Sequence, residues 1–292
     1  MPLKNETKGM LIGFIGVAIF SLTLPFTRIA VQEMSPFYIS FGRGVLAGVC
    51  GALLLLVTKS PFPTRSQFKK LLVTAFGVVY GFPIFTSLAM QTLPSAHSGI
   101  VLGILPLAMS AMGALRFRER PSFAYWITAV CGTLLVLVYS MIDGGGSLAF
   151  GDVWLLLAIV TAAIGYSEGG KLAEEMGATK VISWAVAMTL PINIPAAYFF
   201  ANTALIDLSA SVFISFLYTG LFSAFIGFFF WYRGIAMGGV ARVGQVQLLQ
   251  PFLTLIGAYF LLGEPITLLN VVFAIAVLVV VLIGRKTNIQ AK

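Results

Sequence analysis

An all-α integral membrane protein of ten transmembrane helices is the fold class this sequence predicts, on three observations. Hydrophobic residues make up 59% of the 292 and charged residues only 10%, where soluble domains carry roughly a quarter charged residues, and mean hydropathy is +0.99. Ten separate apolar runs reach the roughly 20 residues that a helix needs to cross about 30 Å of hydrocarbon. The 18 Lys and Arg residues gather at alternate connections between those runs.

The runs fall at 9–31, 36–58, 68–90, 94–115, 122–141, 152–171, 181–201, 210–231, 240–262 and 266–285. The first follows Lys4 and Lys8 but is long and has no small-residue cleavage site after it, so it reads as a retained helix and not as a secretory signal. Basic residues then recur after every second run. Lys59, Arg65, Lys69 and Lys70 follow the second, Arg116, Arg118 and Arg120 the fourth, and Lys171 and Lys180 the sixth. Arg233 and Arg242 follow the eighth, and Arg285, Lys286 and Lys292 the tenth. Only Arg28 and Arg43 fall outside this set, both near helix ends. Positive loop charge marks the cytoplasmic side, so both termini are expected there, and an odd number of spans would spoil the pattern. The runs are continuously apolar, which excludes the alternating, roughly ten-residue strands of a membrane barrel.

Composition removes other classes. The net charge of +8 is dispersed between apolar runs, so it signals topology and not a nucleic-acid partner. Cys50 and Cys131 sit inside apolar stretches, where a thiol acts as a small hydrophobe. With one histidine and two cysteines, no metal site and no cofactor are expected.

Asp143-Gly144-Gly145-Gly146-Ser147 reads as a flexible external connector within a linker, 142–151, that divides the chain into five-helix halves at 9–141 and 152–285. A shift of 145 residues places Ala96, Gly99, Val101, Pro106 and Glu119 on Ala241, Gly244, Val246, Pro251 and Glu264. Because five is odd, the second half enters the membrane in the opposite sense, which makes an inverted repeat, a common plan of secondary transporters.

Ten helices, two five-helix repeats, and a fourth-helix proline leading to Arg118-Glu119-Arg120-Pro121 and to Gly263-Glu264-Pro265 resemble the EamA branch of the drug/metabolite transporter superfamily over nearly the whole chain. Among its branches the chain is most similar to bacterial exporters of amino acids, aromatic ones included. The resemblance implies a multi-pass protein of the bacterial inner membrane and a substrate cavity between the halves, mainly among the first, third and fourth helices of each.

Polar groups within hydrocarbon are costly, so each is a candidate for function. Gln245, Gln247 and Gln250 precede Pro251, whose missing N–H frees a carbonyl one turn earlier; they suit a substrate-facing break or bonds to a neighbouring helix. His97 suits a proton relay or a polar interfacial position beside Ser95 and Ser98. Arg28 is close enough to a helix end to snorkel. Arg43 lies deeper and suits a substrate carboxylate, an internal acid or a structural role. Glu168 suits a substrate ammonium, proton exchange or an ion pair with Lys171, three residues on. The stretch from Gly165 to Lys171 nearly fits a phosphate-binding loop, but Leu172 stands where a hydroxyl is needed and no strand precedes it. Tyr80, Tyr166, Trp184, Tyr218 and Tyr232 are aromatic candidates for a cavity, with Tyr80 and Tyr166 preferred because the resemblance assigns their segments to it. Pro106 and Pro251 are the structural helix breaks.

The function expected is secondary active transport of a small organic metabolite by alternating access, with amino acid export first. Efflux of lipophilic cations is the alternative, and an intramembrane transferase a more distant one, since no acid, base or metal cluster converges. The expected partners are that substrate and the lipid bilayer, and a monomeric chain is compatible with the sequence.

Overall fold

The computed structural model of the chain describes residues 5–117, 120–121, 123–143, 149–239, 243–286 and 289–290. Helix runs through all ten predicted segments. Seven helices are long and apolar enough to cross a membrane: Thr7–Ala30, Pro36–Val57, Arg65–Ala89, Ser95–Arg116, Trp126–Asp143, Phe150–Met176 and Ala210–Gly238. The seventh segment is a pair, Ala178–Ala187 and Leu190–Phe199, bent by 50°. Pro191 explains the bend, because it lacks an N–H and its ring collides with the carbonyl four residues back. Over the described residues the ninth and tenth segments, Val246–Leu262 and Leu268–Val280, are apolar but shorter. Length thus supports seven crossings, or eight with the bent pair, against the ten predicted. The sixth helix is also longer than predicted, ending at Met176 and not at 171. The only strands among the described residues are a two-residue antiparallel pairing of Arg120–Pro121 with Ile289–Gln290. Arg118, Glu119, Arg242, Gly144, Gly145 and Gly146 lie outside the described residues.

Helix starts follow local chemistry. Ser35 caps the second helix by accepting from the Tyr38 N–H, with Pro36 in the first turn. Thr64 and Gln67 form a reciprocal capping box at the third. Ser209 accepts from the Val212 N–H at the eighth.

Two kinds of irregularity recur in both halves. The third and eighth helices each widen into a π-helical stretch, Phe76–Gly81 and Tyr218–Ile226. Before each mid-helix proline the chain tightens into 3₁₀ geometry, at Leu102–Ile104 and Gly244–Leu249, and α-helix resumes with Pro106 and Pro251 as its second residue.

The first segment packs on the eighth, the second on the seventh, the third on the sixth, the fourth on the ninth and the fifth on the tenth. Glycine brings two of these pairs together backbone to backbone. A Cβ added at Gly234 would lie 2.7 Å from the Gly9 carbonyl oxygen, and one added at Gly77 would lie 2.5 Å from the Thr161 carbonyl oxygen. Small residues at such crossings let helix backbones approach where no hydrophobic force drives helices together in lipid.

Candidate functional site

The end of the bundle opposite the N-terminus is tied by polar contacts. The Ser35 N–H donates to Asn202 Oδ1 at 2.7 Å, and the Ser209 N–H donates to Glu33 at 2.9 Å. Arg28, expected to snorkel, instead donates to the Met90 carbonyl at the end of the third segment. Glu264 accepts from the Ser95 N–H at 2.9 Å, the Ser95 hydroxyl at 3.0 Å and the Ala96 N–H at 2.7 Å, capping the fourth helix from the turn after the ninth.

His97 is buried within the bundle. Its Nδ1 lies 2.6 Å from Asp143 Oδ2 and its Nε2 lies 2.8 Å from Asp152 Oδ1. The two carboxylates come from the fifth and sixth segments and hold opposite edges of the ring. Among the described residues, no three His, Cys, Asp or Glu side chains are arranged to hold a metal ion.

The ion pair expected between Glu168 and Lys171 is not the one formed. Glu168, buried in the sixth helix, accepts from Arg116 Nε at 3.0 Å, while Lys171 Nζ donates to Glu174 at 2.9 Å. The wet ends of Lys171 and Glu174 find each other without desolvation, and the guanidinium from the fourth segment reaches the buried acid. Glu168 is therefore already neutralised.

Arg43 is the buried cation of the interior, 2% exposed. Its Nη2 donates to Ser223 Oγ at 3.1 Å, and Ser223 in turn exchanges a 2.7 Å hydrogen bond with Thr23 of the first segment. Nε and Nη1 have no partner. Tyr166 lies within electrostatic reach of the guanidinium, and its ring packs on Phe20, Phe228 and Trp231 at centroid distances of 5.9, 5.7 and 5.7 Å. Ser223 stands on the π-helical stretch of the eighth segment, whose wide turn brings the hydroxyl to Arg43. The glycine at 220 lets that stretch approach the second helix, since a Cβ there would sit 2.7 Å from Leu46 Cδ1 and 3.0 Å from its Cβ.

Tyr80 stands on the matching π-helical stretch of the third segment. It is half-buried, its ring is 6.2 Å from that of Phe41, and its hydroxyl stands beside Thr189 without a hydrogen bond of good geometry. Trp184 packs on Phe62 at 5.1 Å, and its indole N–H is also unpaired. Gln247 is 2% exposed and neither end of its amide has a partner. Gln250 is buried one turn on. The side chain of Gln245 lies outside the described residues. Tyr218 and Tyr232 spend their hydroxyls on the carbonyls of Ile19 and Gly165, at 2.9 and 3.1 Å, and serve packing.

Arg43 and Tyr166 are thus brought together, with Ser223 and Thr23 as partners that the sequence did not single out. Tyr80 and Gln247 contribute unpaired polar groups from the third and ninth segments. His97 and Glu168 belong to separate clusters toward opposite ends.

Comparison with known proteins gives a consistent picture. A family model described as the EamA-like transporter family matches twice, over residues 7–141 and 149–284. A Bacillus subtilis (strain 168) protein described as "Uncharacterized transporter YdeK" is 43% identical over 284 residues, which cover 97% of this chain and 99% of that one. An Archaeoglobus fulgidus protein described as "Uncharacterized transporter" is 24% identical over 261 residues, covering 87% and 90%. A solved crystal structure at 20% identity superposes with a TM-score of 0.65 over 95% of this chain and 96% of that chain, a likeness of fold.

Proposed function

The chain belongs to the EamA-like transporter family of the drug/metabolite transporter superfamily, and from that premise we propose that it exports amino acids by alternating access as a secondary active transporter of the bacterial inner membrane. It is a multi-pass membrane transporter; the substrate, mechanism and location are the proposal. The ten-span arrangement with both termini cytoplasmic is part of it.

The observation that carries the substrate class is Arg43. A charge inside a membrane protein is expensive unless it is paired, yet two of the three guanidinium nitrogens have no partner. A substrate carboxylate supplies charge-assisted hydrogen bonds to such a group. The aromatic rings around Tyr166 offer an apolar surface for a side chain, and Gln247 offers an amide with both ends free. Efflux of lipophilic cations loses its acid, because Glu168 is neutralised by Arg116, and Arg43 adds positive charge to the interior.

Two features support alternating access. The family model matches each half, and renumbering each segment by five carries the 1–8 pairing onto 6–3 while returning 2–7, 4–9 and 5–10 to themselves. A two-fold relation between inverted halves produces that pattern, and such halves can exchange conformations around a site between them.

The test is uptake of radiolabelled neutral and aromatic amino acids into proteoliposomes, with unlabelled amino acids inside. Flux above empty liposomes is expected. Arg43→Gln is expected to cut it by about 10- to 150-fold, the equivalent of about 1.5–3 kcal/mol for a hydrogen bond to a charged group. Gln247→Leu is expected to lower transport while raising thermal stability, since it removes two unpaired polar ends. No amino-acid flux in a preparation that moves another metabolite, or an Arg43→Gln protein with undiminished flux, overturns the substrate assignment.

A further inference from the structure

The fourth segment carries His97 into a site that neither the family match nor the Arg43 cluster uses. Its ring is 3% exposed and lies between two carboxylates, at 2.6 Å on one edge and 2.8 Å on the other. A neutral imidazole has one N–H, so it can donate to one carboxylate only; donating to both requires the imidazolium. The three residues come from both sides of the linker and its start: His97 from the first half, Asp143 from the end of the fifth helix where the linker begins, and Asp152 from the second half. They sit at the end of the bundle assigned to the outside.

The other charged and titratable groups around the ring are accounted for. Glu264, from the turn after the ninth segment, is committed to capping Ser95 and Ala96. Tyr139 of the fifth segment lies beside His97, with ring centroids 5.0 Å apart and the rings tilted by 33°. Arg28 of the first segment donates to Met90. Asp152 also accepts from the Ala149 N–H at 3.1 Å, which fixes it on its own helix. The Asp143 side chain remains 29% exposed, giving protons a route from the aqueous phase.

We propose that His97, Asp143 and Asp152 form a proton-binding latch that holds the external face closed: the imidazolium bridges both carboxylates, and loss of its proton releases one of them and lets that face open. By linkage, a closed state that holds one more proton than the open one is favoured by acid, by at most about tenfold per pH unit. This rests on the alternating-access reading, but its test needs no substrate.

The experiment uses Cys50→Ala/Cys131→Ala protein in intact cells with two single-cysteine reporters. Val101→Cys lies one turn further into the fourth helix than His97, at a position 1% exposed, and Ala204→Cys lies in an exposed external connection. A membrane-impermeant charged methanethiosulfonate is applied between about pH 6 and about pH 8, and the rate at 101 is divided by that at 204 to cancel thiolate chemistry. The ratio is expected to rise on the order of tenfold with pH, and His97→Gln is expected to give a high ratio with no pH dependence. If His97→Gln protein is not monodisperse, Asp143→Asn takes its place under the same criterion. A constant, non-zero ratio in the parent, or a pH response that survives in the variant, overturns the latch while leaving alternating access standing. A cysteine at 101 that never labels overturns both.

Discussion

Replacing Arg116 by alanine strands Glu168 with no cation in contact, and the cost can be worked from their exposures. The Glu168 side chain is 5% exposed and that of Arg116 is 54% exposed. A carboxylate left unpaired in such a place keeps its desolvation cost with nothing to offset it, and breaking a buried pair by removing one partner costs about 3–5 kcal/mol. Lys171 is the nearest cation on the same helix and reduces the cost if it swings from Glu174, so about 2–4 kcal/mol is expected. Glu168→Gln is different in kind: Arg116 is more than half exposed and rehydrates, so the loss is expected to stay below about 1 kcal/mol. The double variant should resemble Glu168→Gln alone. Thermal unfolding of the four purified proteins in detergent at about pH 7 tests this. A Glu168→Gln protein as unstable as Arg116→Ala, or a double variant with additive losses, refutes the reasoning.

Two further outcomes follow from local geometry. Gly234→Ala is expected to cost about 1–3 kcal/mol by overpacking, because its Cβ meets the Gly9 carbonyl oxygen at 2.7 Å and the Gly13 Cα at 2.8 Å, whereas Gly244→Ala, with nothing within 4 Å, should leave the unfolding temperature unchanged. Glu33, in the connection between the first and second segments, is held below the usual carboxylate range by hydrogen bonds from Ser209, chiefly its hydroxyl. Its contribution is therefore present at neutral pH and lost as pH falls through its lowered folded value, so Glu33→Ala should lower the unfolding temperature at pH 7 with a difference that shrinks in acid.

The apolar runs and their charged flanks were legible because water and lipid impose them residue by residue. The breaks at Pro106 and Pro251 were legible for a similar reason, since a ring without an N–H leaves its mark in one letter. Arg43 stood out as a cation where none is cheap. What stayed hidden was every pairing across segments. Arg116 and Glu168 are 52 residues apart, and nothing local distinguishes Arg116 from the other basic residues of its connection. Asp143 read as part of a soft connector and Asp152 as the first residue of the sixth run, although two acids bracketing the link between halves were a usable signal for the lone histidine. The π-helical stretches left no trace either. An added residue in one turn shifts the phase of the apolar pattern, and in a helix apolar on all sides there is no phase to shift. Tyr80 was picked out for its segment and Ser223 not at all, yet both stand on those wide turns.

The glycine crossings bear on how such a bundle moves. Where the first segment meets the eighth, and the third meets the sixth, glycines put backbone against backbone, which leaves few side chains at the contact to slide or re-rotamerise and favours each pair moving as one piece. Both pairs join a helix from before the 142–151 linker to one from after it. A rocking motion that respects these crossings carries helices from both sides of the linker together. The family model divides the chain at that linker; the glycine crossings divide it along another line.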